Sequence, residues 1–579
     1  MPRADAPRST AAVLLPRRGE SPVISMQMPK VLRALAIVAP LLAGVLFYLP
    51  TLGGGFLSDD YSVLGALYAW ANEQRLFAAL LAKLVEGLDA PSHYYRPLAM
   101  MSFGVNYVLC GADPLPWRLT NLGIHCASGA LVFAVALRLG EWAGSRASMA
   151  AAAIASAVFI AFPTNVEAVA WVSGRYDLLA LAFMLATVAC FQRSRRWGDG
   201  WGLAALLAAA CALASKESAA LLPAFVLAVA IGRHWPEGSR RALAQGVREA
   251  LPWLALGIAY FALRSAIFGT PFRVYPGSSP VEALLTGAWL RPLASTGAWL
   301  EAAMPSPPAR VAFLTTLAAL IALGAFDLVE RPLARGAWLA LTVTAVLSIV
   351  LLLPHIVALA ANGEQGRLYY TTSALLALLA AFPWFPVSPA RSRLRSISTV
   401  VVTAVLLASE AVVLRAAMVP WREAGAQVKG LLVSLARTAE TIPPAGYGLI
   451  VVPDHVGNVP FGRNAQGGLI SPPVQATQLS HRLVVQAPLD LPPWPEHIAR
   501  GLIDALRRYP LSVVWAAVAQ GKTGGAEPPT HYFCWAAQAQ ELVPLVWSAE
   551  LAARDWLAAW KDALAGSGCD DSARELALF

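Results

Sequence analysis

Charge is what this sequence has least of. Asp, Glu, Lys and Arg make up 14% of its 579 residues, where an ordinary soluble domain carries about 25%. Together with 57% hydrophobic residues and a mean hydropathy of +0.56, that scarcity excludes a purely soluble enzyme and a disordered scaffold. Cysteine is sparse too: six in the whole chain, too few for a disulfide-stapled secreted module. No Gly-rich phosphate loop follows a predicted strand, so no nucleotide site is expected. No internal repeat of the roughly 20–50-residue kind is visible.

What is present is a series of apolar runs. A helix crossing about 30 Å of hydrocarbon takes about 20 mostly apolar residues. Stretches 34–52, 119–139, 148–162, 177–192, 250–268, 311–326, 337–353, 369–386 and 397–414 fit that size, and two shorter ones, 201–214 and 218–232, flank the polar Ser215, Lys216 and Glu217. The expected fold class is an α-helical polytopic membrane protein with about eleven transmembrane helices, within a range of about 10 to 13. Segment 283–304, broken by Arg291, Pro292 and Glu301, reads as interfacial or re-entrant. The first stretch reads as an uncleaved helix, because no small-residue cleavage pattern follows it before Asp59.

The few charges are distributed unevenly. Loops 1–33, 138–146, 193–199, 233–249, 327–335 and 391–395 hold twice as many basic residues as the alternate set 53–118, 163–176, 215–217, 269–310 and 354–368. The positive-inside rule puts the first set and the N-terminus in the cytoplasm, and an odd number of spans sends the C-terminus to the other side. The net charge of +9 is then mostly topology, and no nucleic-acid partner is expected. The implied location is a bacterial inner membrane, multi-pass, with the C-terminal domain in the periplasm.

Three regions are expected. Residues 1–30 form a cytoplasmic disordered N-terminus; residues 31–418 form the membrane domain, whose large first outer loop, 53–118, carries amphipathic stretches at 77–84 and 98–109 that suit helices on the membrane face. Residues 419–579 form a small α/β domain, with an amphipathic helix at 422–439, a strand-like run at 448–453, helix patterns at 497–508 and 549–565, and a β-branched and aromatic run at 511–517. Cys534 and Cys569, which lie in this domain, either pair in an oxidising compartment or stay as free thiols.

Ionisable groups at a membrane are costly and point to function. Asp59 and Asp60 follow the first span directly. His93, Tyr94 and Arg96 lie in the first outer loop. Asn121 and His125 lie one turn apart on the second span, Glu167, Arg175 and Asp177 between the third and fourth, Lys216 and Glu217 between the two short stretches, and Glu364, Arg367, Tyr369 and Tyr370 at the start of the 369–386 span. Each has a bland reading: a solvated helix exit for the Asp pair, snorkelling anchors for Arg96 and Arg367, helix packing for His125, a simple ion pair for Lys216 and Glu217. All nevertheless fall at outer-side turns. Carboxylates gathered with several cations are what acid–base chemistry on a lipid-phosphate substrate requires.

These residues also carry a family pattern. Asp59-Asp60 after the first span, Ser92-His-Tyr-Tyr-Arg-Pro-Leu98, Asn121-Leu-Gly-Ile-His125, the run from Val166 to Asp177, and Ser215-Lys-Glu217 resemble, in this order, the GT-C glycosyltransferases, and more narrowly the membrane half of TMTC O-mannosyltransferases and bacterial relatives of the PMT/ArnT type. Gly366-Arg-Leu-Tyr-Tyr370 and Trp421-Arg422 fit more loosely. The resemblance covers about residues 31–425; Asn165 stands where relatives commonly carry His, and the C-terminal part does not look like tetratricopeptide repeats.

The resemblance implies a GT-C fold and inverting transfer of a sugar from a polyprenyl-phosphate donor, its tail in the lipid bilayer, to an acceptor hydroxyl on a protein, glycan or lipid. It implies Asp59 as leading base candidate with Asp60 close behind. Arg96, Lys216, Arg367 and Arg175 are candidates for the donor phosphate, although Arg175 could instead pair with Glu167 or Asp177. His93, Tyr94, Asn121, His125, Glu167 and Tyr370 are candidates for the acceptor and sugar pocket. No cofactor is expected; paired Asp with His and Glu could hold a divalent metal, which the relatives imply is not essential. The alternative is a lipid-linked-sugar transporter or flippase, whose polar groups would reach both sides or the midplane.

Overall fold

The computed structural model describes residues 30–87, 94–142, 145, 147–194, 198–235, 238–270, 297, 299–327, 332–356, 365–385, 393–444, 446, 448–486, 531–545 and 569. Helix α1 (Lys30–Tyr48) ends in a short turn, Leu49–Thr51. Three helices follow before the next span: α2 (Asp60–Asn72), α3 (Leu76–Glu86) and α4 (Pro97–Cys110). The long α5 (Pro114–Trp142) packs against α6 (Ser148–Ala161), and a bent connection containing α7 (Val166–Ala170) leads into α8 (Arg175–Phe191). The series continues with α9 (Gly200–Leu213), α10 (Leu222–His234), α11 (Ser239–Phe268), α12 (Pro307–Asp327), α13 (Pro332–Ile356), α14 (Tyr370–Ala380), α15 (Arg393–Ala417) and α16 (Val419–Thr441).

Each of the eleven apolar stretches read from the sequence therefore carries a helix. In lipid the backbone must satisfy its own hydrogen bonds, which a helix does within one segment. Among the described residues seven helices are long and apolar enough to cross a membrane, or eight with the bent pair Ser148–Ala161 and Pro163–Ala170 as one span. Others fall short: α9 has 14 residues and α14 has 11, the latter reaching only about 16 Å. The chain is a multi-pass membrane protein. Its outward helix faces are apolar, with Leu207, Ile258 and Val401 exposed, the reverse of a soluble protein's surface.

Small residues set the closeness of the bundle. The α6 face buries Ala151, Ala152, Ala155 and Ser156, and the Ser156 hydroxyl donates to the Gly129 carbonyl of α5 at 3.0 Å. Without water to drive association, such close backbone approach is how helices gain contact.

The last part of the chain forms a four-stranded sheet. Its order is β4 (Leu483–Gln486), β1 (Gly448–Val451), β5 (His531–Ala536) and β6 (Glu541–Pro544). The first three are parallel, with Gly448 opposite both Leu483 and His531, and β6 runs antiparallel to β5. A hairpin of β2 (His455–Val456) and β3 (Val459–Pro460) and a single turn, α17 (Gln466–Leu469), lie between β1 and β4. Cys534 and Cys569 form a disulfide, with Cα atoms 6.0 Å apart, a normal separation for the bond. The expected N-terminal disorder, the helix patterns at 497–508 and 549–565, the run at 511–517, and residues 283–296 and 298 of the segment 283–304 lie outside the described residues.

The sheet is not held on a loose tether. Helix α16 follows α15 across the single residue Met418 and runs beneath the sheet, with the Ser434 hydroxyl donating to the Gln540 carbonyl at 3.4 Å. At its start α16 crosses the turn after α1: the Gly55 amide donates to the Gly425 carbonyl at 3.0 Å. A Cβ on Gly425 would lie 2.6 Å from the Gly54 Cα, so this crossing requires glycine. Gly425→Leu is expected to cost about 1–3 kcal/mol through overpacking. Thermal unfolding of the detergent-solubilised protein checks this, with a midpoint several degrees below the parent expected.

Candidate functional site

The turns singled out by their charges meet at one end of the bundle. The segment Phe56–Asp60 is fixed there by buried bonds. Arg118 of α5, almost inaccessible, donates to the carbonyls of Thr51 at 3.1 Å, Ala170 at 2.6 Å and Gly55. The Trp171 indole donates to the Leu57 carbonyl at 3.1 Å. Ser58 adopts φ 48°, a left-handed conformation costing a non-glycine residue about 1–2 kcal/mol. Such strain persists only where surrounding bonds over-determine it.

The two aspartates do different things. Asp60 is 2% exposed and accepts from the Leu57 amide at 3.0 Å, the Ser173 amide at 2.8 Å and the Ser173 hydroxyl at 2.6 Å. Burial raises its carboxyl to about 6, against those bonds and the nearby Arg118 charge, which pull it down. Asp60 thus ties the start of α2 to the turn before α8. Asp59 is half-buried, and its Oδ1 accepts from the Asn464 side-chain amide at 2.7 Å.

Three cation–carboxylate pairs surround this turn. Arg96 binds Glu217 through both Nε, at 3.0 Å, and Nη2, and its guanidinium lies 3.9 Å from the Tyr94 ring centre and 4.9 Å from that of Tyr176. Lys216 Nζ is 2.6 Å from Asp177 Oδ1. Arg367 pairs with Glu167 and lies 4.5 Å from the Trp171 ring centre. Burial pulls Lys216 downward, Asp177 holds it up, and the neighbouring charges of Arg96 and Arg367 push it down again. Burial would likewise lower Arg96, but the charge and hydrogen bond of Glu217 outweigh it and leave the guanidinium raised. The three cations therefore form one cluster of paired charges, each cation held by its own carboxylate. Asp59 also acts on Tyr176, which carries Arg96, so the aspartate turn borders the cluster.

Other candidates lie beneath the site. Arg175 was expected at the donor phosphate or paired with Glu167 or Asp177. It is instead 0% exposed and spends its donors on Asn121 Oδ1 at 2.8 Å, the Trp117 carbonyl at 2.8 Å, Asn106 Oδ1 and Ser102. Asn121 also donates to the Trp171 carbonyl at 2.8 Å, so this pair braces the bend before α8. His125 bonds the Tyr370 hydroxyl at 2.7 Å and the Ile160 carbonyl at 3.2 Å, with both side chains buried. Asn121, His125 and Tyr370 are thus packing groups, with no exposed surface for a sugar. Asn165 joins the scaffold, donating to the Phe159 carbonyl and accepting from Ser373. His93 lies outside the described residues. Among the described residues, no three His, Cys, Asp or Glu side chains are grouped to hold a metal ion.

No family model matches the chain. Among curated proteins, it is 35% identical over 183 residues to protein O-mannosyl-transferase Tmtc1 of Drosophila melanogaster, covering 30% of this chain and 20% of that protein. Tmtc2 of the same organism is 38% identical over 185 residues, with 30% and 19% covered, and TMTC2 of Homo sapiens is 31% identical over 134 residues, with 21% and 15% covered. The chain is similar to protein O-mannosyl-transferases. It matches about one-fifth of the length of the first two of these relatives. Among solved structures, ArnT from Cupriavidus metallidurans bound to undecaprenyl phosphate gives a TM-score of 0.43 at 15% identity, covering 78% of this chain and 89% of that one.

Several groups escaped the sequence reading. Ser173, Trp171 and Tyr176 sit within the run 166–177, so their roles followed from no spacing rule but their neighbourhood was marked. Arg118 gives no signal of its own in the sequence. Asn464 gave no signal, being 405 positions from its partner.

The contrast between the aspartates is testable by stability alone. Asp60→Ala strands three buried donors and is expected to cost about 3–5 kcal/mol. Asp59→Ala is expected to cost less than about 1 kcal/mol. Chemical denaturation of the two purified variants measures both; equal losses would remove the distinction.

Proposed function

We propose that the chain is a GT-C membrane glycosyltransferase that moves a sugar from a polyprenyl-phosphate donor to an acceptor hydroxyl, with inversion, on the periplasmic face of a bacterial inner membrane. The observation that carries this reading is a half-exposed carboxylate, Asp59, bordering a cluster of three cations at one end of a membrane helix bundle. Its similarity to O-mannosyl-transferases supports the same reaction class.

In this reading Asp59 is the base. The acceptor oxygen attacks the anomeric carbon, its proton passes to the Asp59 carboxylate, and the bond from that carbon to the phosphate oxygen breaks. Negative charge grows on the leaving polyprenyl phosphate. Arg96, Lys216 and Arg367 face that charge, and their pairing with Glu217, Asp177 and Glu167 keeps them oriented beforehand. Preorganised cations aimed at developing charge are the largest contribution most transferases can make. Tyr94 and Glu167 border the sugar, the charges set the leaving-group end, and no metal or cofactor has a role. Asp60 holds the turn and stays out of proton transfer. Acceptors are hydroxyls of a protein, or of an envelope glycan or lipid. A transporter would also gather cations, but it has no use for a strained turn presenting one half-buried carboxylate.

Asp59→Asn is expected to lower kcat by about 10²–10⁴-fold while leaving the unfolding midpoint and donor-lipid binding near those of the parent. Arg367→Ala is expected to raise the KM for the donor about tenfold. Purified protein in nanodiscs, supplied with polyprenyl-phosphate mannose and a Ser/Thr-containing peptide, provides the assay. Near-parental turnover by Asp59→Asn would remove the base assignment.

A further inference from the structure

The hairpin after β1 reaches across to the aspartate turn, and several bonds seat it there. The Ser58 amide donates to the Phe461 carbonyl at 3.2 Å, and the Ser62 hydroxyl donates to the Asn464 carbonyl at 3.1 Å. These clamps flank Asp59 on both sides in sequence. Between them the Asn464 amide donates to Asp59 Oδ1 at 2.7 Å, and among the described residues it is the one donor to that carboxylate.

The hairpin is itself stiff. Arg463 binds Asp454 Oδ2 through Nε at 3.0 Å and contacts His455 Nε2 at 2.8 Å, while His455 Nδ1 lies 2.8 Å from Asp454 Oδ2. The Phe461 amide donates to the Asp454 carbonyl at 2.7 Å. Asn464 then adopts φ 57°, a left-handed conformation that Asn tolerates better than other side chains. This bend turns its amide toward Asp59.

We infer that Asn464 is a positioning residue for Asp59, so that the C-terminal part of the chain completes the site at the membrane rather than forming a separate module. The inference deepens the reading of Asp59 as base and rests on it. Holding Oδ1 leaves Oδ2 for the incoming hydroxyl.

Turnover by the full-length protein in nanodiscs, with polyprenyl-phosphate mannose and a Ser/Thr-containing peptide, tests this. Asn464→Gly suits the left-handed backbone and removes only the donor; its kcat is expected to fall about tenfold with the donor KM and the unfolding midpoint near those of the parent. Asn464→Asp keeps the shape but turns a donor into an acceptor beside Asp59, and is expected to lower kcat further. In the Asp59→Asn background Asn464→Gly is expected to cost no further turnover, because it acts through Asp59. A parental kcat in both Asn464 variants beside a collapsed kcat in Asp59→Asn would overturn the inference alone, as would an equal further loss in the double variant. Parental turnover by Asp59→Asn would instead overturn the base role on which the inference rests.

Discussion

The buried Asp60 carboxylate is the interaction on which the candidate site depends. It draws together the Leu57 amide and both donors of Ser173, fixing the turn after the first helix onto the bend that precedes α8. A charge in such a place is costly unless its lone pairs are matched. Three donors match them here, with the Arg118 charge nearby, and Arg118 in turn gathers three backbone carbonyls. Ser58 is held in its strained conformation by this frame, and the next residue, Asp59, is left half-buried. Asp60 provides rigidity, and in the proposed reaction Asp59 is the residue left for chemistry.

The same requirement for pairing organises the cations. Arg96, Lys216 and Arg367 each have a carboxylate partner, and Lys216 also feels the charges of both arginines. An anionic ligand entering such a cluster meets charges already oriented, and the aromatic faces of Tyr94, Tyr176 and Trp171 limit how far the guanidinium groups can swing. In the proposed reaction this is where the donor phosphate rests. The partner carboxylates then share their cations with it instead of releasing them, because the salt bridges lie mostly out of solvent.

The sequence made the bundle legible because lipid imposes a simple rule: every apolar stretch long enough to bury itself becomes a helix, and all eleven did. The functional end was legible for a related reason. In a chain this poor in charge, ionisable residues at helix ends stand out, and Asp59, Asp60, Arg96, Glu167, Lys216 and Arg367 did converge. Roles were harder. Arg175 looked like a phosphate ligand from its neighbours in the chain, but its guanidinium is consumed by neutral carbonyl and amide oxygens that no spacing rule exposes. Asn121, His125 and Tyr370 look polar enough for a pocket, yet His125 and Tyr370 bond each other, and Asn121 bonds Arg175 and the Trp171 carbonyl. The Asn464 contact depends on how a distant hairpin folds back, which is a property of tertiary structure alone.

The central claim is that the end of the bundle bearing Asp59 receives a polyprenyl phosphate. Cryo-electron microscopy of the protein in nanodiscs with undecaprenyl phosphate tests it most directly. The account predicts phosphate density within hydrogen-bonding distance of Arg96, Lys216 and Arg367, with the lipid tail leaving between helices and Asp59 across a sugar-sized gap from the phosphate. Ordered lipid phosphate at the opposite end of the bundle, with the three cations still bound only to their carboxylates, would contradict it.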